Sequence, residues 1–490
     1  MNKSISKNAI FKTILNLFNI ALPIIITPIV LGAIKETYNG YISVGETCNT
    51  IFMTFACFGV SQYGLREISR VRNDEEKLNK TITSLFVITT TTTLLTTIAY
   101  TAYIIFKYNG KAPFYTCLIM GGNVLFNIFY VEWINEALEN YDFIAIKTMV
   151  TRIIYSLLVI LCVKDESNYL LYLYILVGFN FINNILSFIY IRKRTKFDFR
   201  DLEIKRHLKP MFQTLILSNT YLLYTQLDRV MIDNYIGSTE TGFYAISFKI
   251  MNIIDILIFT IIQVSMARLV NYLANKSKEV YMELLKKVIS IYFILLFPAS
   301  IGLLCVSKQA VIIFGRGYTY IAAVPILMVF SIYLMAVGID RIIEQQIIYV
   351  FGYEKADTKL ALYGGILNLI LNYALVLGGI FTPTTAVVTT LIANIFLISL
   401  EYGYLVKKVI KIDIKLFSLS NMKYLLYSLI FIPVCMFINI NVENILINVE
   451  NILFSCAADV ICCAIIYVGI LFITRDKTFN ELYNLILKKL

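Results

Sequence analysis

The sequence predicts an all-α integral membrane protein of about fourteen transmembrane helices, and three observations carry that prediction. Of its 490 residues, 58% are hydrophobic and only 15% are charged, a balance foreign to soluble globular chains. Apolar runs of about 20 residues, the length that crosses a bilayer as a helix, recur from one end to the other. The Lys and Arg residues between those runs fall overwhelmingly in alternate loops. Mean hydropathy over the chain is +0.74.

The runs read in order as 10–31, 38–62, 81–106, 113–135, 143–163, 169–191, 211–228, 242–267, 288–306, 321–343, 360–378, 384–405, 421–440 and 453–473. Between them, loop 63–80 holds Arg66, Arg70, Arg72, Lys77 and Lys80, and loop 192–209 holds eight cations. Loops 268–287 and 407–423 hold five each. With the termini, Lys147 and the 341–359 loop, about 34 of the 43 Lys and Arg lie on that side and seven on the other, while Arg152 and Lys249 lie inside spans. The positive-inside rule then places both termini in the cytoplasm and the Asn441–Leu453 loop outside. The net charge of +11 follows from this topology, so it does not imply a nucleic-acid partner. The first run starts near Ile10, exceeds a signal core and lacks a small-x-small site, so no cleaved leader is expected.

Other chemistry is limited by composition. The nine cysteines form no CxxC pair, and Cys57, Cys117, Cys305, Cys435, Cys462 and Cys463 sit in apolar runs, as reduced, buried small hydrophobes do. The single histidine, His207, lies in a basic stretch read as a loop, which excludes haem ligation and a His-based zinc site. There is no GxxxxGK[ST] phosphate loop and no room for a nucleotide-binding domain, so no cofactor is expected. Glu132, Glu136, Asp340 and Glu344 fall near cytoplasmic span ends, where water solvates a carboxylate cheaply, and no catalysis is assigned to them.

An internal repeat appears on sliding the chain by 202 residues. Gly40-Tyr41 then meets Gly242-Phe243, and Arg66 meets Arg268. Residues 1–209 and 210–420 read as two pseudo-symmetric six-helix lobes, followed by spans 13 and 14 in 421–474 and an amphipathic tail, 475–490. The tail places Phe479, Leu482, Ile486 and Leu490 on one face, as an interfacial helix does.

One stretch organises the rest. Asp228-Arg229-Val230-Met231-Ile232 is followed by Gly237, by Gly242-Phe243-Tyr244 and by Lys249 within an apolar span. This run resembles the polysaccharide flippases of the multidrug/oligosaccharidyl-lipid/polysaccharide exporter superfamily, although Asp233 stands where a small residue is usual. Tyr63-Gly64-Leu65-Arg66-Glu67-Ile68 and Val311-Ile312-Ile313-Phe314-Gly315-Arg316-Gly317-Tyr318 resemble the loop after span 2 and the external re-entrant segment of the same families. The resemblance implies a MATE-like fold and a flippase, not an enzyme. The implied substrate is an undecaprenyl-pyrophosphate-linked repeat unit of O-antigen or capsule, in a bacterial inner membrane. Membrane lipids, a polysaccharide polymerase and chain-length machinery are the implied partners.

Charge at bilayer depth is costly and tends to face a polar interior. Lys249 and Arg152 are therefore read as cations of a water-filled cavity that meets phosphate, with Asn252, Tyr221 and Tyr224 on the same faces. The structural alternative pairs Arg152 with Glu132 or Glu136, and Lys249 with Asp228. Asp255 lies about 120° round the helix from Lys249 and needs a partner elsewhere, or water. Asp228 and Arg229 adjoin the external end of span 7 near water and are read as a latch across the external mouth. Asn16, Asn19, Asn123, Asn127, Asn180, Asn183, Asn184, Asn368, Asn372 and Asn394 form polar stripes, suited to sugar hydroxyls but more often interhelical bonds. Arg66 and Arg268 read as anchors at the membrane face. The rival readings are a cation-coupled multidrug exporter on the same fold and a membrane polysaccharide polymerase.

Overall fold

The computed structural model describes residues 5–219, 226–442 and 449–487. Twelve of its helical runs are long and apolar enough to cross a membrane. The first, Ile14–Val71, has 58 residues, or roughly 87 Å of helix at the α-helical rise, against a hydrocarbon core of about 30 Å. It holds two crossings. Helix α1 (Ile5–Cys57) bends at Lys35, whose backbone is in a non-helical conformation (φ 60), so the expected loop between spans 1 and 2 is a kink. Expected span 7 falls partly on 220–225, outside the described residues.

Contacts divide the chain into two compact units, Met1–Gly242 and Phe243–Leu490. In the first, α1 is followed by α2 (Val60–Val71), α3 (Glu75–Tyr108), α4 (Phe114–Phe126), the short α5 (Glu132–Ala137), α6 (Tyr141–Cys162), α7 (Tyr169–Arg192), α8 (Ile204–Asn219) and α9 (Leu227–Tyr235). Helix α3 starts where the Asp74 carboxylate accepts the Lys77 N–H, which satisfies one of the unpaired N-terminal donors. Helix α8 packs on α2 and α3, so it belongs with the first unit. The Tyr63–Ile68 motif is a packing device. A Cβ on Gly64 would sit 2.5 Å from Trp133 Cε3, so only glycine lets the indole lie on α2.

Helix α10 (Ser238–Asn275) leads into the second unit. There follow α11 (Lys278–Cys305), α12 (Ser307–Gly315), α13 (Val324–Arg341), α14 (Glu354–Leu377), α15 (Pro383–Leu400), α16 (Leu419–Ser428), α17 (Phe431–Val442), α18 (Val449–Ile473) and α19 (Lys477–Leu487). Two π-helical stretches, Ile342–Ile348 and Glu401–Ile410, extend α13 and α15 and pack on each other. Wide helical turns of this kind recur at functional sites.

The two glycines matched by the repeat meet in space. A Cβ on Gly40 would lie 2.0 Å from the Ser238 carbonyl oxygen, and one on Gly242 would lie 2.8 Å from that of Glu36. Neither can carry a side chain, and Asn39 Nδ2 donates to the Gly242 carbonyl at 3.4 Å across the same crossing.

Candidate functional site

In the first unit, α6 carries two interior cations. Lys147 Nζ donates to both carboxylate oxygens of Glu132, at 3.0 and 3.1 Å, to Ser187 Oγ at 2.6 Å and to the Asn183 carbonyl at 3.3 Å. Its side chain is only 3% exposed, so the charge is enclosed and fully partnered. Arg152 is half-buried and donates through Nη1 to Asn19 Oδ1 at 2.6 Å. The Glu132 bridge considered for Arg152 does not form, because Glu132 is held by Lys147. Lys147 was placed by its sequence among the cytoplasmic-side cations, and nothing in its spacing announced a buried partner.

The second unit reverses the arrangement. Asp255 on α10 is 3% exposed and receives Arg341 through two bonds, Nε to Oδ1 at 3.2 Å and Nη2 to Oδ2 at 2.6 Å. The guanidinium also lies 4.0 Å from the centre of the Phe259 ring. Asp255 thus finds its partner on α13, a bidentate fork of the strong kind. Lys249 and Asn252 are half-buried on the same helix. Tyr221 and Tyr224 lie outside the described residues.

Asp228 and Arg229 differ from expectation. Nearness to the span end suggested solvation, yet they are 0% and 6% exposed, because α9 packs against α1. Asp233 resolves the departure from the usual motif. Its Oδ2 accepts from Tyr108 Oη at 2.8 Å and its Oδ1 from Ser238 Oγ at 2.8 Å, so the carboxylate ties α9 to the end of α3 and the start of α10.

Of the carboxylates expected at wet span ends, Glu132 is held by Lys147 and Asp340 by Asn394, and all four are half-buried. Glu401 is 1% exposed and lies beside Asp340 and Asp357, while Asn394 Nδ2 donates to Asp340 Oδ2 at 3.0 Å. The π-helical stretches carry the ends of α13 and α15 into packed structure.

Most asparagines make interhelical bonds. Asn127 donates to Thr93 at 2.9 Å, Asn180 to Asn123 at 3.1 Å and Asn368 to Thr390 at 3.0 Å, while Asn372 accepts from Thr389 at 2.5 Å. Arg66 and Arg268 are exposed, as anchors are. His207 is on α8, not in a loop; it is 1% exposed, and its Nδ1 lies 2.9 Å from Tyr63 Oη. Burial pushes its imidazole below the usual range and Arg206 pushes the same way, against weaker pulls from Glu67 and Glu203.

A model of the family described as "Polysaccharide biosynthesis protein" matches residues 5–272, more than half of the chain. An Escherichia coli (strain K12) protein described as "Putative O-antigen transporter" is 19% identical over 406 residues, covering 81% of this chain and 95% of that one. Among solved structures, the lipid II flippase MurJ in an inward closed conformation superposes with a TM-score of 0.67 at 15% identity, over 95% of this chain and 98% of that one. An inward-facing multidrug resistance MATE family transporter of the MOP superfamily gives 0.58 at 12% identity, over 79% and 94%. These two likenesses establish the fold, a many-helix membrane architecture shared by MurJ and the MATE transporters. The chain belongs to the polysaccharide biosynthesis protein family.

Proposed function

We propose that this membrane protein is a flippase for a lipid-linked oligosaccharide, an undecaprenyl-pyrophosphate-linked repeat unit of O-antigen or capsule. The observation that carries the reading is Arg152, a cation within an apolar span whose 2.6 Å partner is the neutral amide of Asn19. A cation bonded to an amide keeps its charge for an anion, and a diphosphate is the anion such a lipid carries. Lys249, half-buried on α10, is the second cation offered to it, with Asn252, Tyr221 and Tyr224 for the glycan. The repeat halves 1–209 and 210–420 are the moving bodies of this proposal, with 421–474 and the tail 475–490 as additions. Both termini lie in the cytoplasm of a bacterial inner membrane, where membrane lipids surround the chain and a polymerase and chain-length machinery receive the product. A membrane-impermeant thiol reagent applied outside is expected to label Asn444→Cys and spare Ser420→Cys in a cysteine-free background; the reverse pattern overturns the topology.

Depletion of the protein is expected to abolish surface polysaccharide while lipid-linked repeat units accumulate on the inner face. Accumulation of the same lipid on the outer face contradicts the proposal and points to a polymerase. Asp228 and Arg229 are proposed as an external latch. Asp228→Asn is expected to raise external labelling of Tyr224→Cys several-fold, and unchanged labelling with intact export removes the latch.

The enclosed carboxylate of Glu401, on a π-helical stretch that packs against the one following Asp340, favours a second reading, a cation-coupled multidrug exporter, because buried acids suit cation exchange. Loss of drug tolerance with polysaccharide unaffected selects that reading.

A further inference from the structure

Three thiols from three helices converge in the second unit. Cys305 ends α11, Cys435 lies on α17 and Cys463 on α18. Cys435 and Cys463 are buried, with their Sγ atoms 3.5 Å apart, and Cys305 and Asp459 lie beside the Cys435 thiol. Asp459 is fully enclosed on α18, and its Oδ2 accepts from Gln309 Nε2 of α12 at 3.1 Å. Cys48, Cys57, Cys117 and Cys162 belong to the first unit, and Cys162 is exposed on α6.

A buried thiol serves as well as any small apolar side chain, so packing does not by itself account for three of them side by side with an enclosed carboxylate next to the central one. A disulfide needs the Cys435 and Cys463 sulfurs to close from 3.5 Å to roughly 2.05 Å.

We propose that Cys305, Cys435 and Cys463 form a redox site in which Cys435 makes a disulfide with either neighbour, fastening α17 to α18 or to α11. Asp459 receives the Cys435 proton, and the thiolate adds to a lipid-soluble two-electron oxidant of the quinone or azo class. The second thiol then attacks the Cys435 sulfur, the S–S bond forms and the oxidant departs with two electrons and the two thiol protons. The central position of Cys435 makes exchange between the two disulfides a single thiol attack.

Thiol counting on the full-length protein in membranes tests this. Membranes are treated with diamide, dissolved in denaturant and tagged with a maleimide polymer that adds a visible mass for each free thiol. The untreated chain is expected to take nine tags and the oxidised chain two fewer. Cys435→Ser is expected to lose none. Cys463→Ser still loses two, because Cys305 takes its place, whereas Cys305→Ser/Cys463→Ser loses none. Cys456→Ser and Cys462→Ser keep the loss of two, which assigns it to the trio. Retention of all nine tags by the wild-type chain, or an equal loss in Cys435→Ser, overturns the proposal.

Discussion

The two units hold their buried ion pairs in opposite senses. In the first, the cation is sealed, with Lys147 3% exposed and its partner Glu132 17% exposed. In the second the anion is sealed, with Asp255 4% exposed and Arg341 22% exposed at the side chain. A sealed charge depends wholly on its partner, while a part-exposed one can still be solvated. Lys147, with Glu132, Ser187 and Asn183 around it, is thus structural, and the Arg341 face of the second pair is the less enclosed one.

That contrast sets the order of expected effects. Glu132→Ala leaves an enclosed ammonium without its counter-charge and is expected to cost about 3–5 kcal/mol. Thermal unfolding in detergent measures it, and Lys147→Met added to the same variant should restore most of the loss. Asp255→Asn should cost less, about 1–3 kcal/mol, because the guanidinium left behind is less enclosed than the Lys147 ammonium. If Asp255→Asn proves the more damaging, exposure is not what separates the pairs. Gly64→Ala pushes a methyl into Trp133 and is expected to cost about 1–3 kcal/mol, measured in the same way.

His207 adds a pH-dependent term to the first unit only. The unfolded chain binds a proton near pH 6.5 and the folded chain only at lower pH, since burial holds the imidazole neutral. Its contribution is therefore complete above about pH 6.5 and is lost as pH falls through that value. His207→Asn keeps an acceptor for Tyr63 and should flatten the melting profile between roughly pH 7 and pH 5. The smallest change expected is Asn368→Ala, about 0.6 kcal/mol, the average for an interhelical side-chain bond in membranes.

The fold was legible because bilayer length and loop charge leave few alternatives for a chain this apolar. Gly40 and Gly242 were legible too, as repeat partners, although sequence matching could not say that they touch. The polar partners were not legible. Arg341 is 86 positions from Asp255, and helical periodicity reports a face, never which distant helix covers it. The same limit hid the burial of Glu401, because a π-helical extension shifts the face that a regular helix would present. Asp233 was recognised as a departure from its motif, but its two partners, Tyr108 and Ser238, come from separate helices.

The central claim is that cations set within the spans meet an anionic, lipid-linked substrate, and Lys249 tests it most directly. Surface polysaccharide is measured alongside the amount of protein in the membrane for Lys249→Ala and Lys249→Arg. The account predicts normal membrane levels for both, loss of surface polymer in Lys249→Ala and partial retention in Lys249→Arg. Normal polymer from Lys249→Ala, at normal protein level, would contradict it.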